Sequence, residues 1–434
     1  MEYRKTFILL LVLAVSLPLS AQDKPFMQDL PYYVENFSVF GLNQEEGRAF
    51  HIPERSVSLN GKWKFFYGEN PYEIPDGFFR PGFNDRRWAD INVPSNWEMD
   101  GFGQALFRNV TTPFPNYRPA FVNQYMPQRR MPAGMGPQAE PQHPLFSVAM
   151  PNVPMDVNPT GAYRTSFTLP SAWKGDHVFL RFEKVASASF VWVNGEQVGY
   201  NEGAQEPSEY DITKYVKPGR NTVAVLVLKY SDGYYLESQD YWRLAGIFDD
   251  VTVFAVPQAR IRDWQVITDF DRTYTDSDLS VAIDLKAYDV PASGYTLTAA
   301  VSREGRTVAS MQQAGISLAA GAQQTFTLRS RVTAPLKWTA ETPDLYDLKM
   351  TLADASGRVV DEVSKRIGFK KTEIVDGVFY LNGQPLKVNA ECSHMQHPEL
   401  GHAMDEATVR RDFERLKQFN FNGVRTSHYP PVTE

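Results

Sequence analysis

Cysteine is nearly absent from this 434-residue chain, and no intrachain disulfide can form because Cys392 is the only one. The chain also lacks a basic block, and its formal net charge is −7. This balance argues against nucleic acid or an anionic membrane as the main partner. No apolar run reaches the roughly 20 residues that a membrane-spanning helix needs. With 43% hydrophobic and 22% charged residues, the composition predicts globular domains with sizeable cores and no membrane anchor.

The N-terminus has the pattern of an export signal. Arg4 and Lys5 precede a short apolar run, Phe7 to Val15, and Leu19-Ser20-Ala21 supplies small residues at a cleavage site. We therefore expect a signal peptide over 1–21, and a periplasmic or extracellular protein that begins at Gln22. No cysteine follows the signal to accept a lipid.

Residues 22–256 show short alternating strands separated by turns. Val178 to Phe182 alternates with the period of a strand, and Phe190 to Val193 runs into Asn194-Gly195, a strong two-residue hairpin turn. This pattern predicts a jelly-roll sandwich. Residues 113–159 interrupt it with eleven of the thirty prolines and five of the twelve methionines. Proline excludes central strands, so we expect a long surface loop there.

Residues 257–367 predict a second sandwich of the immunoglobulin-like type. Leu279 to Leu285 and Gln324 to Leu328 alternate cleanly between apolar and polar residues. The segment has no cluster of chemically reactive groups, so we expect it to act as a spacer.

The pattern changes in residues 368–434, where a parallel βαβ unit is predicted. Leu386 to Glu391 is predicted to be a buried strand, and Phe421 to Thr426 a second one. Between them Val409, Phe413 and Leu416 recur at helical spacing, with Asp405 near the N-cap. The carboxyl ends of parallel strands carry the active sites of (β/α)₈ barrels, and a complete barrel needs roughly 250 residues. We expect only the first βα units of a truncated barrel.

Polar residues follow both predicted strands. His394 comes after the first, and Arg425 and His428 lie at the end of the second. Taken singly, a histidine is usually structural and Arg425 has the alternative of a salt bridge at the barrel rim. Cys392 and His394 are also spaced for a nucleophilic pair, but a buried inert thiol is the favoured interpretation of Cys392.

Five segments together resemble glycoside hydrolase family 2, in particular its β-galactosidase branch. They are Ser95–Gly103, Phe107–Thr111, Leu236–Phe248, Trp338–Tyr346 and Asn422–Pro430. The resemblance extends over nearly all of the chain after the signal, with the segments in the family's order. It implies a jelly-roll sugar-binding domain, an immunoglobulin-like domain and the beginning of a catalytic barrel.

The resemblance also implies roles for individual residues. Asn109 would contact the sugar, and Asp240 would bind both a sodium ion and a galactose hydroxyl. His394, Arg425 and His428 match positions around the subsite for the terminal sugar, the glycone. The alternative for Asp240 is a surface ion pair with Arg243. The chain departs from the family at Ala390-Glu391-Cys392-Ser393-His394, where Gly-Val-Asn-Arg-His is usual, so its glycone specificity stays open.

Family members are retaining glycosidases with two catalytic carboxyl groups, and both glutamates belong to later barrel strands, as do the magnesium ligands. We therefore expect this chain to supply accessory domains and part of the glycone pocket for β-galactoside oligosaccharides or glycans. It is expected to be inactive alone, and a homo-oligomer or a complementing C-terminal half is a possible assembly. The alternatives are a non-catalytic carbohydrate-binding or interaction protein, and another family 2 specificity such as β-glucuronidase or β-mannosidase.

Overall fold

The computed structural model describes residues 24–108, 153–237 and 240–432. The predicted signal peptide and residues 113–152 of the predicted Pro/Met-rich loop lie outside these ranges. The first sandwich contains α1 Lys24–Val34, β1 Gly41–Leu42, β2 Ser56–Ser58, β3 Gly61–Gly68, β4 Ala89–Val93, β5 Leu106–Arg108, β6 Thr160–Leu169, β7 His177–Phe182, β8 Val185–Ala186, β9 Ala188–Val193, β10 Glu196–Asn201, β11 Ser208–Asp211, β12 Gly219–Leu228, β13 Tyr241–Arg243, β14 Gly246–Ile247 and β15 Val251–Val256.

Two antiparallel sheets form this sandwich, in the orders β1-β10-β9-β12-β6-β3-β4 and β11-β7-β15-β2. The larger sheet is covered on both faces: Val191 packs between the sheets, whereas Phe190 packs with Leu30 and Val34 of α1. A strand covered on both faces is apolar throughout rather than alternating, which explains the sequence of β9. The predicted hairpin turn is confirmed, since Asn194 and Gly195 have φ values of 53° and 90°.

The second sandwich contains β16 Ala259–Phe270, β17 Ser277–Ala287, β18 Ala292–Arg303, β19 Arg306–Leu318, β20 Gln323–Val332, β21 Tyr346–Ala353 and β22 Val359–Ile367. Its sheets have the orders β16-β17-β20 and β19-β18-β21-β22. Every second residue of β17 is buried, and Val281 and Ile283 meet Leu297 and Leu348 in the core. The alternation in the sequence therefore reflects a strand with one core face.

The last segment contains β23 Thr372–Val375, β24 Val378–Leu381, β25 Gln384–Pro385, β26 Ala390–Ser393, α2 Glu406–Gln418 and β27 Gly423–Thr426. Strands β26 and β27 pair in parallel with α2 between them in the chain, and Asp405 caps α2 by accepting a hydrogen bond from Thr408 N at 2.8 Å. The described chain contains no closed barrel, and the predicted fold class is confirmed.

The prediction of a buried strand over Leu386 to Glu391 is wrong in place and in burial. The strand begins at Ala390, and its first three residues are exposed. The reason is that β27 is its single partner in the described chain, so neither strand is enclosed by a full sheet. Apolar Val388 and Phe413 are 57% and 46% exposed for the same reason.

Across the described ranges, no helix combines the length and the apolar character needed to cross a membrane.

Candidate functional site

The ends of β26 and β27 bring the predicted polar residues of the last segment together. The two strands are in register, with Cys392 opposite Arg425, and Ser427 N extends the ladder by donating to Ser393 O at 3.0 Å. Asn422 fixes the other end, because its side-chain oxygen accepts from Asn389 N at 2.8 Å. His394 and His428 consequently leave adjacent strands at the same edge of the sheet.

His394 lies at the centre of this group. Its Nε2 is 3.4 Å from Ser427 Oγ, and its Nδ1 is 3.4 Å from the hydroxyl of Tyr429. The His428 ring meets it edge to face, with centroids 5.6 Å apart. Burial lowers the pKa of His394 and His428 lowers it further, whereas the charge of Asp240 raises it, and the net shift is downward. The ring is therefore mainly neutral at pH 7 and can both donate and accept a hydrogen bond.

Arg425 links the second histidine to the cysteine. Its Nη2 lies 3.3 Å from His428 Nδ1 and its Nη1 lies 3.5 Å from Cys392 Sγ. Since a guanidinium only donates, His428 accepts at Nδ1 and carries its proton on Nε2, which lies 3.2 Å from Ser427 Oγ. The exposed guanidinium keeps further donors for hydroxyl or carboxylate oxygens.

The interpretation of Cys392 as a buried thiol is wrong, because its side chain is exposed. It lies on β26, a strand with one neighbour in the described chain, and it faces Arg425 across the pair. Cys392 therefore borders the candidate site rather than a core.

Asp240 reaches the same region from the first sandwich. It directly precedes β13, which pairs with β5 so that Tyr241 is opposite Arg108. Its side chain is partly exposed, and its charge acts on His394. Arg243, the alternative partner of Asp240, is buried with its guanidinium over the Tyr234 ring. Asn109 follows β5 directly and lies outside the described residues.

The sequence reasoning missed an exposed aromatic pair beside Asp240. Phe107 and Trp242 are 49% and 42% exposed, and their rings pack edge to face with centroids 5.8 Å apart. Both residues fall inside the segments that carry the family resemblance, but their alignment depends on the pairing of β5 with β13, which no local pattern reveals.

Buried polar contacts that the sequence reasoning also missed attach the βαβ unit to the first sandwich. Asn96 accepts a hydrogen bond from His402 N at 2.7 Å. Lys184 donates to Pro430 O at 2.9 Å. Burial lowers the pKa of His402 to about 3, so this ring is neutral.

Glu98 is buried and bonded to Lys229 Nζ at 2.5 Å and to Ala245 N at 2.9 Å, which is a structural arrangement. Over the ranges that the structure describes, no group of three or more His, Cys, Asp or Glu side chains is placed to hold a metal ion.

Three family models match the chain in succession. They are the sugar-binding domain of glycosyl hydrolases family 2 at residues 56–131 and 139–257, the glycosyl hydrolases family 2 domain at residues 259–370, and the family 2 TIM barrel domain at residues 372–434.

Curated relatives support the same grouping. A β-galactosidase of Photobacterium profundum is 37% identical over 87% of this chain and 34% of its own length, and one of Priestia megaterium is 34% identical over 92% and 38%. The chain thus spans about a third of these relatives. Among solved structures, a Bacteroides uniformis β-glucuronidase has a TM-score of 0.68 at 24% identity, covering 87% of this chain and 40% of that one, which supports the fold alone. With all three domain models matched in the family's order, the chain belongs to glycosyl hydrolase family 2.

Proposed function

We propose that this chain is the N-terminal part of a retaining glycosidase that acts on terminal β-galactosides. The observation that carries the proposal is the convergence of Asp240 from the first sandwich with His394, Arg425 and His428 at the carboxyl ends of the parallel strands. The relatives named β-galactosidase support the choice of substrate.

The site residues suit recognition of a sugar rather than bond cleavage. The guanidinium of Arg425 donates to sugar hydroxyls, and the carboxylate of Asp240 accepts from one. Asp240 would also serve as one ligand of a sodium ion, since a carboxylate is a hard oxygen donor suited to hard cations. When bound, sodium would add positive charge at the sugar hydroxyls. Asn109 is proposed as a further sugar contact from the segment after β5.

The two carboxyl groups of the reaction are proposed to come from barrel strands beyond these residues, about 5–5.5 Å apart as retention requires. Magnesium ligands are proposed to lie there too. The proposed partners are a complementing C-terminal half, which would complete the pocket, and a second copy of the chain in a homo-oligomer.

The decisive experiment compares the purified chain with the chain completed by the remaining barrel, using a chromogenic β-galactoside. We expect turnover only from the completed form, because the retaining pair is proposed to lie in the remaining barrel. Turnover by the purified chain above a blank expression control would contradict the proposal. Failure of the completed form to act on β-galactosides, with binding of glycans intact, would favour a non-catalytic carbohydrate-binding protein.

A β-glucuronidase is the second candidate. It is favoured by the exposed guanidinium of Arg425, which has donors suited to the carboxylate of a uronide. A chromogenic β-glucuronide assayed beside the galactoside separates the two. If the completed form prefers the β-glucuronide and Arg425→Gln loses this preference, the result would favour a β-glucuronidase.

Export with cleavage after Ala21 completes the proposal. It rests on Arg4 and Lys5, the short apolar run and the small residues of the cleavage site. Mass spectrometry of the protein from its native host should find Gln22 at the N-terminus. An intact Met1 on the exported protein would contradict it.

A further inference from the structure

Lys184 is a buried cation that no step of the proposed function uses. It lies between β7 and β8 and is 3% exposed. Its ammonium donates to two backbone carbonyls, Gln205 O and Pro430 O, each at 2.9 Å. Lysine is almost never fully buried unless it is paired, so this placement indicates a specific task.

The two carbonyls belong to different parts of the protein. Gln205 lies between β10 and β11 of the first sandwich, whereas Pro430 is two residues beyond His428. Burial lowers the pKa of Lys184, while carboxylates of the first sandwich raise it, and the net shift is downward. The carboxylates are Glu183, Glu206, Glu237 and Asp249. The ammonium is thus stabilised from the sandwich side and directed at the segment after β27.

The segment from Ser427 to Pro430 is held at both ends. At one end Ser427 N donates to Ser393 O at 3.0 Å, and at the other Pro430 O accepts from Lys184. Between them the Tyr429 ring is buried, with its hydroxyl 3.4 Å from His394 Nδ1. His428 lies between these two attachments, so the direction of its ring depends on both.

We propose that Lys184 is a positioning residue for the glycone pocket, which fixes the backbone at Pro430 and thereby the ring of His428 relative to Arg425 and His394. That the pocket binds a glycone rests on the proposed function, whereas the positioning of His428 by Lys184 does not depend on it. A residue that only joins the domains would change stability without changing the surroundings of His428.

The test uses the 434-residue chain and NMR of the histidine rings. His428→Gln and His394→Gln identify the two resonances. Lys184→Met keeps the length of the side chain but removes the donor, and Lys174→Met removes an exposed lysine of the same sandwich as the matched control. We expect Lys184→Met to move the His428 resonance and its titration curve, Lys184→Arg to restore them in part, and Lys174→Met to leave them unchanged.

Unchanged His428 and His394 resonances in Lys184→Met would overturn the proposal, whatever the stability of the variant. If Lys184→Met does not fold, the same comparison with Lys184→Leu, which also lacks a donor, decides, and an unmoved His428 resonance again refutes positioning.

Activity of the form completed by the remaining barrel separates this inference from the proposed function. We expect Lys184→Met to lower kcat/KM for a β-galactoside about tenfold, which corresponds to a barrier about 1.4 kcal/mol higher, because a pocket contact is misplaced. Lys184→Arg should give an intermediate value. Full activity in Lys184→Met refutes positioning. If Lys184→Met moves the His428 resonance but the completed form does not hydrolyse β-galactosides, the proposed function is refuted and the positioning role of Lys184 stands.

Discussion

His177 joins the two sandwiches through both nitrogens of its ring. Nδ1 lies 3.0 Å from Asp211 Oδ2 of the first sandwich, and Nε2 lies 3.2 Å from Asp289 Oδ2, which follows β17 of the second. The ring stacks on Tyr288, with centroids 4.1 Å apart at 22°. A doubly protonated imidazole donates from Nδ1 to Asp211 and places its positive charge beside Asp289, whereas a neutral ring has no charge to attract either carboxylate. We therefore predict that this contact stabilises the protein in a pH-dependent way.

The direction of this pH dependence follows from the two carboxylates, Asp211 and Asp289, that contact His177. Burial lowers the pKa of His177, but the hydrogen bond and charge of Asp211, followed by those of Asp289, outweigh it and leave the pKa above its usual 6.5. Burial raises the pKa of Asp211, and bonds from His177 and Thr213 reverse this, so it falls below 3.8. The contribution of His177 is thus complete below about pH 6.5 and is lost as pH rises through its folded pKa. That of Asp211 is lost as pH falls below its usual range.

Other charges near the ring modify this balance. Arg260 and Lys286 lie over Tyr288, at 5.6 and 5.0 Å from the ring centroid, and Glu45 holds Lys286 at 2.8 Å. Neither cation is among the leading influences on the pKa of His177. The carboxylates therefore decide the sign of the pH dependence.

Solvent limits the magnitude of the effect. The side chain of His177 is 7% exposed, that of Asp211 35% and that of Asp289 76%. Water and salt screen the Asp289 contact almost completely, while the Asp211 contact is partly protected. The two contacts together therefore stabilise the protein by about 1 kcal/mol.

Urea unfolding followed by tryptophan fluorescence tests this prediction. The loss in free energy of unfolding caused by His177→Gln should be about 1 kcal/mol larger at pH 5.5 than at pH 9. Equal losses at the two pH values would refute the reasoning. A cycle with Asp211→Asn should give a larger coupling energy at pH 5.5 than at pH 9, where the neutral ring keeps a hydrogen bond to Asp211 but no charge.

Two further predictions concern the pocket and the core beneath it. In the form completed by the barrel, Asp240→Asn should raise the barrier to β-galactoside cleavage by a few kcal/mol and weaken sodium dependence, with stability altered by at most about 1 kcal/mol. Values of kcat/KM and sodium dependence within a few-fold of the parent would show that Asp240 is outside the pocket. Lys229→Met should lower the free energy of unfolding by about 3–5 kcal/mol at pH 7, because it leaves the carboxylate of Glu98 buried without its cation. The double variant with Glu98→Gln should recover much of that loss in urea unfolding, and no recovery would contradict the ion-pair explanation.

The sequence predicts those parts of the fold whose signals are local. Asn194-Gly195 specifies a turn by its own φ preferences, and Asp405 caps α2 through a residue three positions away. The error at β26 has a different origin. An apolar run predicts a buried strand, but burial depends on neighbouring strands, and β27 is the one neighbour described. The same dependence exposes Cys392.

In the candidate site, too, the residues with local signals could be predicted from the sequence, and those that depend on distant contacts could not. His394, Arg425 and His428 could be placed together from the sequence, because consecutive parallel strands end at one edge of a sheet. Asp240 could not be placed with them by pattern, since its approach to His394 requires the first sandwich to dock on the βαβ unit. That docking uses Asn96 with His402 and Lys184 with Pro430, contacts between residues 306 and 246 positions apart. Such buried polar pairs leave no periodic trace in a sequence, and the resemblance to the family supplied Asp240 in their place. Since the pocket depends on this docking surface, a substitution at Lys184 or Asn96 should act on the same histidines as one made beside them.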